Sequence, residues 1–239
     1  MSCVTSRFVF LLISLALALC SPFTMAAPQP FTAHYSLDID GWPTIGITHT
    51  LSRQGAMWES AMTASLKVAS GEERSRFTLE GDSVDARDYR SRYALFGIGD
   101  DYHLDREQLT EQPDRQAALF MLSRQAPKAR CTHPQVSPCE LVYQDHKGRR
   151  KTLDYRVTDQ SEVTAPAGHF PGVTVDTWDP EKRDRHLFLT FHREHPGLLL
   201  GSHYVRDGEQ TSQLTLDAVS LSDESAPEQR LSESAPADD

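Results

Sequence analysis

The sequence predicts an all-β protein: a large antiparallel meander sheet curled on itself, half-barrel or barrel-like, with one short helix near residues 113–124. Three observations predict it. Apolar and polar residues alternate through run after run, which puts successive side chains on opposite faces of a strand. The runs are separated by short turn signals that leave no room for helical crossovers, so neighbouring strands pair antiparallel. Only one segment crowds apolar residues together among good helix formers.

The clearest stretch is Gly168 to Leu221. Val173 and Val175 lead to Trp178, and Asp179-Pro180-Glu181-Lys182 then ends the run, because proline lacks the amide donor and fixes its own backbone angle. Leu187, Leu189 and Phe191 point one way, and His186, Phe188, Thr190 and His192 the other. His195-Pro196-Gly197 reverses the chain, Leu198 to Val205 returns, Asp207-Gly208 is a two-residue hairpin signal, and Leu214, Leu216 and Ala218 close the pattern. A turn centred on His195-Pro196 sets His203 opposite Phe188.

Earlier in the chain the same grammar recurs. Phe31, Ala33, Tyr35, Leu37 and Ile39 form a first alternating set that Asp40-Gly41 ends; Ile45, Ile47, His49 and Leu51 form a second. Trp58, Ser60, Met62, Ala64, Leu66 and Val68 share a third face, and Ser70-Gly71-Glu72-Glu73 reads as the next turn. Phe77 and Leu79 mark a fourth strand, Gly81-Asp82 a turn, and Val84, Ala86 and Tyr89 to Leu95 a fifth. From Pro113 to Arg124, Ala117 to Leu122 are consecutive apolar residues behind an early Asp114, a helix apolar enough to be buried and suited to cover an open end of the sheet. A buried strand is the alternative there. Leu141 to Tyr143 and Leu153 to Val157 flank Asp145-His146-Lys147-Gly148, a hairpin signal.

The first 26 residues read as a signal peptide: Arg7, an apolar core from Phe8 to Leu19, and a small-x-small site at Thr24-Met25-Ala26. Residues 27–221 read as a single β-rich domain and 222–239 as a disordered acidic tail with Glu-Ser-Ala-Pro at Glu224 and again at Glu233. The expectation is a periplasmic protein with no transmembrane span in its mature chain, since the apolar run of about twelve residues is shorter than the roughly 20 needed. Cys20 invites a lipid anchor, but Leu19 stands where such signals carry a small residue, which disfavours it. The net charge is −10. That balance makes nucleic acid and anionic membranes poor partners.

Cys131 and Cys139 are the cysteines left after the leader, and an oxidising compartment pairs them. Their spacing is neither C-x-x-C nor a zinc pattern, so a redox or metal role with His133 is the weaker reading. Ten histidines invite a metal hypothesis, and His186, His192, His195 and His203 fall in the best-defined stretch. Strand geometry leaves at most a two-ligand pair without a carboxylate. Asp100 and Asp101, near Asp105 and Glu107, read as ordinary turn carboxylates rather than a glycosidase pair. Gly97-Ile98-Gly99 lacks the third glycine of a dinucleotide loop. No catalytic, cofactor or metal residue is assigned, and the protein reads as non-enzymatic.

Tyr35, Trp58, Phe77, Phe188, Phe191 and Tyr204 are spread over strands of one curved sheet and are the candidate lining of a concave cavity, with packed core as the plainer reading. A lipid or glycolipid of the envelope is the ligand class that fits such a cavity. Another envelope protein, bound through exposed edge strands, is the alternative. A hydrolase or metalloprotein ranks last.

The domain resembles the exported bacterial family known as domain of unknown function 3108. The resemblance rests on Phe31 to Leu37 followed by Gly41, on Thr164 to Phe170 leading into Val173-Thr174-Val175, on Leu187 to Phe191, on Pro196-Gly197, and on Arg206-Asp207-Gly208. It implies a many-stranded antiparallel meander folded back on itself and brings no established activity or catalytic residues.

Overall fold

The computed structural model describes residues 27–222. Residues 1–26, expected from the sequence to be a signal peptide and holding Cys20, and the expected acidic tail beyond Ser222 lie outside the described residues. Thirteen strands form one sheet: β1 (Phe31–Ile39), β2 (Ile45–Gln54), β3 (Met57–Leu66), β4 (Ala69–Glu80), β5 (Ser83–Leu95), β6 (Ile98–Leu104), β7 (Cys139–Gln144), β8 (Arg150–Asp159), β9 (Glu162–Ala165), β10 (Gly168–Trp178), β11 (Arg185–His192), β12 (Leu199–Arg206) and β13 (Glu209–Leu221). One helix, α1 (Arg115–Gln125), interrupts them between β6 and β7 and runs into a 3-10 turn, Ala126–Lys128.

The sheet order is β6-β5-β4-β3-β2-β1-β13-β12-β11-β10-β8-β7, with β9 pairing β10 off this path. Two meanders are therefore joined where the first strand meets the last, Phe31 opposite Leu221 and Ile39 opposite Ser212. All the ladders are antiparallel, as the short connections require. The sheet curls but does not close, and its two edges are β6 and β7.

The registers follow the turn chemistry. Arg206 pairs with Glu209 across Asp207-Gly208, whose φ values of 53° and 82° are those of a two-residue turn that aspartate and glycine tolerate. Phe188 lies opposite His203, as the turn at His195-Pro196 dictates. Two segments differ from expectation. Ser70 to Glu73 is not a turn but the start of β4, because the hairpin is made two residues earlier, at Lys67-Val68, and these residues pair with Ser91 to Ala94. Asp100 and Asp101 likewise lie within β6, where Asp101 faces Arg92 across the ladder at 2.6 Å. Arg92 stands between the two segments, opposite Glu72 on one side and Asp101 on the other, and Asp100 accepts from the Tyr93 hydroxyl across the ladder.

The core fills the concave face. Phe31, Phe77, Phe191, Leu51, Leu198 and Leu216 from the sheet are fully buried with Phe120 and Leu122 of α1. Phe120 rests on Phe77, ring centroids 4.9 Å apart, a burial that contributes roughly 2–3 kcal/mol. Tyr35 spans the interior to donate to the Leu199 carbonyl at 2.9 Å. Cys131 and Cys139 are joined as a disulfide, closing the loop between the 3-10 turn and β7.

Candidate functional site

Helix α1 decides what the concave face can hold. Asp114 caps its N-terminus, accepting from the amides of Gln116 and Ala117 at 2.9 and 3.0 Å and from the Ser75 hydroxyl of β4 at 2.7 Å. Around this cap lies a partly buried polar network. Arg115 donates to Glu73 and to the Tyr89 hydroxyl, each at 3.0 Å, and Gln116 donates to Glu73 at 3.1 Å and accepts from Ser60 at 3.3 Å. At the far end Ser123 accepts from the Gly197 amide at 2.7 Å, and Arg124 donates to the Gly81 carbonyl at 2.8 Å. Every one of these sheet partners of the Asp114–Gln116 turn comes from β3, β4 and β5. The first turn of the helix is thus clamped by side-chain contacts to the N-terminal half of the sheet, while Ser123 near its end is tied to the β11–β12 turn.

On the other side it faces apolar surface. Ala118, Leu119 and Leu122 of α1 and Leu141, Leu153, Leu187 and Leu189 of β7, β8 and β11 line an open groove of about 110 Å³, together with Arg115, Tyr143 and Thr177. The volume is below the roughly 300–1,000 Å³ of sites that swallow a whole small ligand. A stretch of acyl chain or a single apolar side chain is what fits.

A larger cleft, about 540 Å³, lies on the opposite face of β4, β5 and β6. Its walls are Glu72, Arg74, Arg76, Asp88, Arg90, Arg92, Asp101 and His103. The charges are paired within the site: Arg76 with Glu59 at 2.6 Å, Arg74 with Glu72 at 3.1 Å, His103 with Asp88 at 2.6 Å. Four arginines stand against three carboxylates on the walls, and Glu59 beside the cleft takes up Arg76 and Arg74, so most of the charge is already paired, in exposed contacts that are individually weak. The apolar groove is the better candidate despite its smaller volume.

The six aromatic residues marked by the sequence separate into three settings. Tyr35, Trp58, Phe77 and Phe191 are buried in the packed interior; Tyr204 is half-buried on the face of Leu187; Phe188 is on the outer face. None of them lines the groove. The groove is built instead from leucines whose strands were legible but whose facing helix surface was not. On the outer face Phe188 stacks on His203, centroids 4.5 Å apart and 9° between planes, and His186 sits between Trp178 and Phe188. His186 Nδ1 lies 2.8 Å from Asp176. His192 Nδ1 accepts from the amides of Glu194 and His195 and so shapes the turn. Among the described residues no three His, Cys, Asp or Glu side chains converge on a metal position.

Sequence reasoning missed the pair His49 and Ser60, whose Nε2 and Oγ are 2.9 Å apart. A histidine beside a serine is a nucleophile pattern. Here both are buried beneath α1, 2% and 3% exposed, so no substrate reaches them. Burial pushes the His49 imidazole down to about 4, and its Nδ1 has no hydrogen-bond partner among the described residues. A lowered histidine value means stability that is whole above pH 6.5 and is lost as pH falls through 4. Acidification over that window costs on the order of 3 kcal/mol through this one ring. His49→Leu should flatten that part of the pH profile of chemical denaturation, and an unchanged profile would show that the ring is not held neutral.

Comparison with known proteins adds fold likeness at long range. No family model matches the chain and no curated protein matches it. The chain is similar to the crystal structure of MucB, at 11% identity and TM-score 0.37 over 87% of this chain and 57% of that one. It is also similar to the complex structure of Pseudomonas aeruginosa MucA/MucB, at 12% identity and TM-score 0.39 over 84% and 54%. The chain spans about half the length of the structures it matches. A likeness this distant carries no argument about function. No helix among the described residues is long and apolar enough to cross a membrane.

Proposed function

We propose that this is an exported, non-enzymatic binding protein of the periplasm that holds the apolar part of an envelope amphiphile, a lipid or glycolipid, between α1 and the C-terminal half of the curled sheet. The carrying observation is the asymmetry around the start of the helix: polar clamps from Asp114 to Gln116 on the β3–β5 side, a leucine-lined groove on the β7, β8 and β11 side. Apolar enclosure supplies affinity for a chain without hydrogen-bonding capacity. Arg115 stands at the wall of the groove, where a cationic side chain meets an anionic headgroup, although Glu73 already shares it. The leader-like first 26 residues support export, and the resemblance to domain of unknown function 3108 belongs to the same reading.

Interaction through edge strands is supported less well. Along β6 the side chains of Asp100 and Asp101 set charge beside the edge, the usual means of discouraging an added strand. Further along, Tyr102 is covered by His146 and Lys147 of the β7–β8 turn. The test of the amphiphile reading is organic extraction of protein purified without detergent, followed by mass spectrometry. Stoichiometric acyl-containing species are expected, and a protein that yields none and binds no acyl probe contradicts the proposal.

A further inference from the structure

Eight large apolar side chains stand exposed among the described residues, and six of them gather at one end of the sheet: Trp42, Val68, Tyr93, Leu95, Phe96 and Ile98. Topology explains the gathering. The β1–β2, β3–β4 and β5–β6 hairpins are neighbours in the sheet, and all three turn at the same end, so their tips form a row with roughly 10 Å between successive hairpins. Trp42 is 54% exposed, Phe96 74% and Ile98 81%. Isolated exposed apolar residues are ordinary, but a contiguous row at consecutive tips is not.

Two further observations bear on what the row meets. Phe96 adopts φ 52° ahead of Gly97 at φ 79°, the left-handed pair of a two-residue hairpin turn. Asparagine, aspartate or glycine suits that first position, as Asp207 does in the β12–β13 turn; a phenylalanine there is strained and buries nothing in return. Amides in two of the tips are also satisfied internally. The Trp42 amide donates to the Ile39 carbonyl at 2.9 Å, and the Phe96 amide donates to the Val68 carbonyl at 2.7 Å, tying two tips together.

Only β6, which begins at Ile98, presents an open strand edge here, and Asp100 and Asp101 set charge along it; the β1–β2 and β3–β4 tips lie inside the sheet order and offer apolar side chains to a lipid surface rather than an edge to a partner strand. Its charge is balanced. Across residues 40–44, 66–69 and 95–98 the charged residues are Asp40 and Lys67, whereas the β10–β11 connection, at the same end of the sheet but beyond the β12–β13 turn, carries Asp179, Glu181, Lys182, Arg183 and Asp184. A neutral row with a tryptophan at one end and a phenylalanine at the other matches the interfacial zone of a zwitterionic bilayer.

We propose that this row of hairpin tips, centred on Trp42, Val68, Phe96 and Ile98, docks the protein reversibly on a zwitterionic lipid surface. The proposal is independent of the groove, and the test separates the two. The protein is floated with phosphatidylcholine–phosphatidylethanolamine vesicles, with and without phosphatidylglycerol. Wild type is expected to float with the zwitterionic vesicles. Phe96→Asn combined with Ile98→Thr should weaken binding about tenfold or more, and Trp42→Ala on a separate hairpin should weaken it too. Phe96→Asn alone should leave the melting temperature unchanged or raised, since it relieves the turn, so that lost binding is not lost folding. The groove-filling variant Leu153→Trp should float like wild type. Wild type that stays off the vesicles, variants that float equally well, or binding that demands the anionic lipid would each overturn the proposal. So would a dimer that forms without vesicles and is lost in the double variant, because the row's occupant would then be a second copy.

Discussion

Asp114→Ala lowers stability by roughly 3–4 kcal/mol at pH 5, the larger of the two effects expected from single substitutions. The carboxyl is buried and serves three donors at once: the Gln116 and Ala117 amides at the start of α1 and the Ser75 hydroxyl on β4. Alanine strands all three in a space closed to water. Asp114→Asn keeps an acceptor at the cap and should cost less than about 1 kcal/mol.

The pH dependence provides a second check. Burial pushes the Asp114 carboxyl up to about 6, against the hydrogen bonds from Ala117, Ser75 and Gln116, which pull it down. A raised carboxyl value means stability that is full below the unfolded value near 3.8 and is lost as pH rises through 6. Wild type should therefore lose up to about 3 kcal/mol relative to Asp114→Asn as pH rises from 4 to 6, the gap to Asp114→Ala narrowing over the same window, with little further change up to pH 7.5. Urea denaturation of the three proteins at matched pH measures this. Parallel profiles would show that the carboxyl stays ionised throughout.

Gly197→Ala is expected to cost roughly 2–4 kcal/mol. Gly197 holds φ 89° in the β11–β12 turn, donates to Ser123, and lies so close to α1 that an added Cβ would meet Phe120 Cδ2 at 2.8 Å. Backbone strain and a clash with a packed ring act together. Gly208→Ala is the control: its φ is 82°, but a Cβ there meets nothing within 4 Å, so it should lose only the strain, about 1 kcal/mol. Equal losses at the two positions would mean that the turn does not press on the helix.

These two positions show what was legible in the sequence and what was not. The turn chemistry of Pro196-Gly197 and Asp207-Gly208 placed strand ends and fixed the register that sets Phe188 against His203. The crowding of Ala117 to Leu122 gave a buried helix. Partnership across the fold was not legible, because alternation reports which face a residue takes and not what stands opposite. Ser75 and Asp114 are 39 residues apart, and nothing in either segment announces the other. The same limit hid β6. Asp100 and Asp101 read as turn residues because nothing local shows that Arg92 and Tyr93 stand across the ladder, where Asp101 meets Arg92 and Asp100 meets Tyr93. Aromatic residues drew attention to a cavity, yet the open groove is lined by leucines, since where a helix leaves room depends on where its polar clamps hold it.

The central claim is that the space between α1 and β7, β8 and β11 receives an apolar chain. The most direct measurement is equilibrium binding of a fluorescent fatty acyl probe to wild type and to Leu153→Trp, whose larger ring should occupy the 110 Å³ groove while leaving the Asp114 network intact. Saturable binding to wild type, weakened about tenfold or more in a variant with an unchanged melting temperature, is the expected result. Equal affinity in the two proteins, or no saturable binding to wild type, would contradict it.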